Sequence, residues 1–216
     1  MFPKLSFLSK MMILSLAFSM GLLLMRYLHT HTQDYRFYVW NSFLAAIPYV
    51  ASHLLAHVRK FNTRSIVLLF IWLLFLPNAP YMVTDVFHYE QLKTVPAWYD
   101  LVLVITGAWN GILLGILSLL QVQSWLRQYL SAKWITVFEL LTLLLCGYGI
   151  FIGRYLRFNS WDLLTEPKTL AYTTAQHFLV PLEHIGLWGF SFIFAGMLGI
   201  FYYTLKALFV YRPNGA

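Results

Sequence analysis

The chain has 216 residues, 60% of them hydrophobic and 11% charged, whereas soluble domains carry roughly a quarter charged residues and about half apolar ones; this is the composition of a membrane protein. A hydrocarbon core about 30 Å thick needs roughly 20 apolar residues per helix, so the chain has room for about six crossings and none for a soluble catalytic or nucleic-acid-binding domain. The formal charge of +7 is scattered through short segments and fits anionic lipid headgroups, and the lone cysteine, Cys146, excludes an internal disulfide or a cysteine metal cluster.

The first apolar run, residues 6–25, follows Lys4 and Lys10 and has the small residues Ala17 and Ser19, as a secretory leader would. It continues through Gly21 to Met25 past any cleavage point, so it reads as a crossing. Further crossings fall at 35–56, 65 to about 83, 98–120, 134–155 and 183–210, giving an all-α polytopic bundle of about six helices in one domain over 1–216. With the N-terminus inside, the inner segments hold nine basic residues and the outer ones six. That bias predicts a multi-pass membrane protein with both termini cytoplasmic. Seven of the eight acids (Asp34, Asp85, Glu90, Asp100, Asp162, Glu166 and Glu183) then fall at the outer end and only Glu139 at the inner, so polar chemistry is expected on the outer face. Gly107, Gly111 and Gly115, then Gly149 and Gly153, then Gly196 with Gly186, Gly189 and Gly199 nearby, read as small-residue packing faces between helices.

In the third crossing, Pro77 and Pro80 each lack an N–H and disfavour helical angles at the residue before them, which predicts a bend or break over residues 76–80. Carbonyls freed inside a membrane need protein or a water-filled cavity, and Asn78 stands between the prolines with donors and an acceptor to offer. A cavity near the outer leaflet follows. Beyond the break, Tyr81, Asp85 and His88 recur at spacings of four and three, with Thr84 adjacent, so a resumed α-helix would present them on one face. A carboxylate and an imidazole so spaced suit metal binding, acid/base chemistry or simple pairing; the plainer alternative makes Thr84 or Asp85 the N-cap of a short surface helix.

The fourth helix opens with Asp100, and Asn110 lies about 15 Å deeper. There, with Thr106, it either floors the cavity or makes an interhelical hydrogen bond. Arg154 and Arg157, one turn apart where the fifth helix ends, either grip a phosphate or carboxylate, pair with a nearby Asp, or snorkel. The turn Asn159-Ser160-Trp161-Asp162 reads as the cap of a short helix, and residues 165–182 as a segment on the outer surface with Leu170, Phe178 and Leu182 on its apolar side. Glu183 and His184 open the sixth helix at the level of Asp85 and His88. No fixed ligand spacing accompanies these groups, so no metal and no cofactor is expected. His53 and His57 read as interfacial, and His29 and His31 as loop residues.

The string Leu-Pro-Asn-Ala-Pro-Tyr ending at Tyr81, with Thr84, Asp85 and His88, then Trp98-Tyr99-Asp100, Trp109-Asn110-Gly111, Gly153-Arg154 and Arg157-Phe-Asn-Ser-Trp-Asp162, resembles a bacterial integral membrane family, domain of unknown function 1361, over roughly residues 66–207. The resemblance implies a multi-pass topology and carries no activity. Mechanism therefore rests on the residues. An outward pocket that binds or modifies an anionic lipid or lipid-linked headgroup is the leading expectation: Arg154 and Arg157 hold the anion, and Asp85, His88 and Asp100 stand nearest the reacting group. Asn78, Tyr81, Thr84, Asn110, Asn159, Asp162 and His184 line it, and membrane lipids are the partners. A transporter would need a polar route through both leaflets, where the inner halves offer mainly Glu139, Ser52, Thr136 and Thr142; an assembly subunit needs only packing surfaces.

Overall fold

The structure, a computed structural model, describes residues 5–89 and 94–210. The helices are α1 (Leu5–Thr30), α2 (Phe37–Ala56), α3 (Thr63–Phe75), the single turn α4 (Asn78–Tyr81) running into a 3-10 segment (Met82–His88), α5 (Ala97–Leu126), α6 (Ala132–Tyr155), the short α7 (Asp162–Thr165) and α8 (Pro167–Leu179), a 3-10 turn (Pro181–His184) and α9 (Ile185–Val210). Six stretches are long and apolar enough to cross a membrane: Phe7–Thr30, Phe37–Ala56, Thr63–Phe87, Ala97–Leu126, Ala132–Tyr155 and Pro181–Phe209. The chain is thus a multi-pass helical protein. Large apolar side chains such as Ile13, Leu14, Phe192 and Ile193 point away from the bundle, an arrangement that is stable only where lipid covers them.

Helix α5 is the centre. It packs on α1, α2, α4 and the 3-10 segment, while α6 pairs with α9 and α2 with α3. Gly111 is what admits the proline segment, since a Cβ there would run into the Ala79 carbonyl oxygen and Met82 Cβ. Gly107, Gly115 and Gly149 similarly lie against Tyr38, Pro80 and Pro77. The expected packing role thus holds along α5 and α6. It fails on α9, where Gly186, Gly189 and Gly196 have nothing within 4 Å. The α6 glycine that seats α9 is Gly147, whose added Cβ would meet the Ser191 carbonyl. Because backbone cannot yield as a side chain can, Gly147→Ala is expected to cost about 1–3 kcal/mol. Melting of the detergent-solubilised protein should fall accordingly, with Gly186→Ala unchanged.

The third crossing is interrupted where the prolines predict: α3 ends at Phe75 and α4 begins at Asn78. Leu76 (φ −55°, ψ −41°) and Pro77 (φ −61°, ψ −25°) nevertheless keep right-handed helical angles and do not become extended. The missing N–H groups instead shorten the hydrogen-bond pattern, with the Ala79 N–H donating to the Leu76 carbonyl at 3.2 Å. From Met82 onward the helix is 3-10, about three residues per turn. Residues four apart are then about 120° apart, so Tyr81 and Asp85 do not share a face as a resumed α-helix would have them. At the start of α3 the Ser65 N–H donates to the Asn62 side chain and the Asn62 N–H to Ser65 Oγ, a reciprocal cap.

The long helices alternate in direction. One end of the bundle holds the 3-10 segment, the starts of α2, α5 and α9 and the ends of α1 and α6; this is the polar end. The opposite end holds the start of α1 and the ends of α2, α5 and α9.

Candidate functional site at the polar end

Pro77 and Pro80 leave the last carbonyls of α3 short of donors, and side chains supply them. Asn78 Nδ2 donates to the Phe75 carbonyl (3.1 Å) and to Ser160 Oγ (2.9 Å), and Ser160 Oγ donates to the Leu74 carbonyl (3.1 Å). The loop after α6 is thereby stitched to the proline segment. Arg157 makes that path: it adopts the left-handed conformation (φ 60°) just beyond α6, turning the chain so that the Phe158 N–H reaches the Ile152 carbonyl at 3.3 Å. Asp162 then accepts the Asn159 N–H (2.7 Å) and the Thr165 hydroxyl (3.0 Å), holding the turn that opens α7, as its sequence predicts.

Beneath this loop, between α2, α3 and α6, lies a cavity of about 390 Å³. Asn41, Asn78, Tyr81, Asn159 and Ser160 line its polar part, and Phe70, Leu73, Leu74 and Leu145 its apolar wall. Phe70, Leu73 and Leu145 are 54%, 41% and 45% exposed, so the wall opens sideways toward lipid.

Asn41 joins the cavity to a buried charge cluster. Its Nδ2 donates to Asp85 Oδ2 at 2.9 Å, while Arg154 Nη1 stands 3.9 Å from Asp85 Oδ1. The Arg154 guanidinium also lies over the Phe87 ring, 5.5 Å from its centroid. Asp85 is 1% exposed, and a carboxylate so buried is tolerable only with such partners. Three elements, α2, the 3-10 segment and α6, meet on it.

Other candidates stand elsewhere. Asp100 pairs with Arg26 of α1, Nε to Oδ1 2.7 Å, both side chains 1% exposed, and Arg26 also reaches Asp34 at 3.3 Å. The Thr32 hydroxyl on Asp34 (2.6 Å), with Arg26 beside it, holds the Asp34 carboxyl below its ordinary range. Asn110 turns to α1 and not to the cavity: its Nδ2 donates to Ser19 Oγ (2.7 Å) and the Ser15 carbonyl (3.3 Å), and its Oδ1 accepts from Ser15 Oγ. The Thr106 and Thr84 hydroxyls donate back to their own segments, at Val102 and Tyr81. Arg157 is exposed and does not line the cavity, although the next residue, Phe158, does; Arg154 does not line it either. The backbone of His88 closes the 3-10 segment, and its side chain lies outside the described residues. Among the described residues no group of three or more His, Cys, Asp or Glu is placed to hold a metal.

His184 stands against His177 of α8, ring centroids 4.6 Å apart. The Tyr148 hydroxyl and His177 Nδ1 are 2.9 Å apart, and Trp188 Nε1 donates to the His177 carbonyl at 3.2 Å. Burial and then the neighbouring His184 lower the His177 pKa from 6.5. A lowered histidine pKa favours the neutral form in the folded state. The contact therefore contributes fully above about pH 6.5 and is lost as pH falls below it toward the depressed value. Acidification from pH 7.5 to 5 should expose α8 to proteolysis in the wild type and change little in His177→Phe.

Two contributors were not singled out by sequence reasoning. Asn41 has no local signal, being one polar residue among apolar ones. Arg26 had one: a guanidinium at the end of a crossing calls for a counter-charge.

Residues 40–201 match the family described as Protein of unknown function (DUF1361). The chain belongs to DUF1361. No curated protein and no solved structure matches it. The DUF1361 region begins earlier than the motif strings indicate, taking in all but the first residues of α2, and it includes every residue that lines the cavity together with Asn41, Asp85 and Arg154. It leaves out α1, and with it Arg26, Ser15 and Ser19.

Proposed function

We propose that this DUF1361 protein resides in the bacterial cytoplasmic membrane with its polar end outward, and there binds a lipid or lipid-linked molecule with an anionic headgroup. The observation that carries the reading is the cavity: an apolar wall open toward lipid runs into a compact set of amides and hydroxyls. That is the shape of an amphiphile's site, with acyl chain along Phe70, Leu73 and Leu145 and headgroup against Asn78, Asn159 and Ser160. Arg154, joined to the lining residue Asn41 through Asp85, and Arg157, next in sequence to the lining residue Phe158, have guanidinium groups that suit a phosphate. The described lining includes no carboxylate or imidazole, which favours binding over turnover.

A lipid analysis of the protein extracted with its native membrane tests this. The wild type is expected to retain an anionic lipid or lipid-linked species that Leu74→Trp, which fills the cavity, does not. Identical lipid in both would end the reading.

Sidedness has its own test. In a Cys146→Ala background, Lys168→Cys is expected to react with an impermeant maleimide in intact cells, and Lys133→Cys only after the cells are opened. The reverse pattern would place the cavity on the cytoplasmic side.

A further inference from the structure

The opposite end of the bundle holds a second cavity of about 320 Å³, between the start of α1 and the ends of α2, α5 and α9. Leu117, Leu120 and Phe209 form its apolar side, and Gln123, Arg127 and Lys206 are among its polar residues. The Gln123 side chain is 3% exposed, and its Nε2 has no hydrogen-bond partner. The Tyr202 hydroxyl lies 3.1 Å from Gln123 Oε1 and 2.9 Å from Glu139 Oε1. Tyr202 has one proton and reaches one face of the amide, so either orientation of the amide leaves one of its polar atoms unsatisfied. A buried polar atom with no partner is costly, and here it belongs to a residue that lines a cavity large enough for a ligand.

The charge of that ligand follows from its surroundings. Glu139 is answered by Lys206 Nζ at 2.7 Å and by the Tyr203 hydroxyl at 3.0 Å. Arg127, the residue that caps α5, is exposed and makes no ion pair among the described residues. Arg59, Lys60, Arg64 and Lys133 stand at the same end, and Glu139 is the only carboxylate there among the described residues. The field is positive, the wall is apolar, and basic pockets between spanning helices select anionic lipid headgroups.

We propose that this cavity seats an anionic phospholipid of the adjoining leaflet, with its phosphate on Arg127, its headgroup hydrogen-bonded to the open Gln123 amide, and an acyl chain along Leu117, Leu120 and Phe209. This site is separate from the polar-end cavity and does not depend on the function assigned there.

The test is native mass spectrometry of the delipidated full-length protein carrying Leu74→Trp, which fills the polar-end cavity, titrated with phosphatidylglycerol, phosphatidylcholine of the same chains, or inorganic phosphate. Phosphatidylglycerol is expected to bind about tenfold tighter than phosphatidylcholine, whose trimethylammonium group meets the positive field and offers no hydrogen bond to Gln123. Arg127→Gln added to this background should remove that preference. Ser124→Trp, which fills the cavity from an exposed position, should remove it too. Equal binding of the two lipids by the Leu74→Trp protein, or an undiminished preference after both Arg127→Gln and Ser124→Trp, would overturn the proposal. So would competition by millimolar inorganic phosphate as effective as the lipid's, which would make this a free-anion site.

Discussion

Arg26→Leu is expected to be the most damaging single substitution in the protein. It leaves the Asp100 carboxylate, 1% exposed, without the guanidinium that meets it at 2.7 Å. Breaking a buried pair on one side costs about 3–5 kcal/mol, a large part of a total stability of about 5–15 kcal/mol. The detergent-solubilised variant should aggregate or melt well below the wild type in a size-exclusion thermal series. Arg26→Leu combined with Asp100→Leu should recover most of the loss, because removing both charges replaces the pair with apolar packing. Asp34→Asn provides the contrast. Its side chain is 41% exposed, and exposed pairs contribute about 0–1 kcal/mol. Equal melting of Arg26→Leu and Asp34→Asn would mean that the pair does not fasten α1 to α5.

Arg154→Leu is expected to come next, at about 3–5 kcal/mol by the same reasoning, since Asp85 is buried and faces that guanidinium at 3.9 Å. Asp85→Asn in the same chain should restore melting, because an amide in that place keeps Asn41 as a neighbour and carries no charge. The pair of variants also separates structure from binding. The rescued double variant is expected to fold and to hold less anionic lipid than the wild type, having lost the guanidinium that the Asp85–Asn41 contact links to the cavity. If it retained lipid fully, Arg154 would serve the fold alone.

Much of the architecture is written locally. Apolar runs of about 20 residues between basic segments mark the crossings, and the two prolines mark where the third one changes character. The α5 glycines signal close packing because a Cβ at Gly111 has no room. What was not legible depends on which face a helix turns to which neighbour. Asn110 could have floored the cavity; it meets α1, and only the rotation of α5 decides that. Glycines on α9 look like those on α5 in sequence, yet most of them face outward. Expecting an α-helix after Pro80 put Tyr81 and Asp85 on one face, and the tighter 3-10 winding separated them. The candidate site was legible in part for the same reason. Asn78, Tyr81 and Asn159 do line one cavity, with Asp85 and Arg154 adjacent through Asn41. Asp100, Asn110 and His184 belong to other contacts, whose partners lie 74, 91 and 7 positions away in sequence.

The central claim is that the polar-end cavity holds an amphiphile. A high-resolution electron cryomicroscopy map of the protein in nanodiscs made from its native membrane tests it most directly. The account predicts elongated density along Phe70, Leu73 and Leu145 that ends in a headgroup between Asn78 and Ser160. A cavity containing only water, or one closed by Phe158 and Ser160 collapsing onto α3, would contradict it.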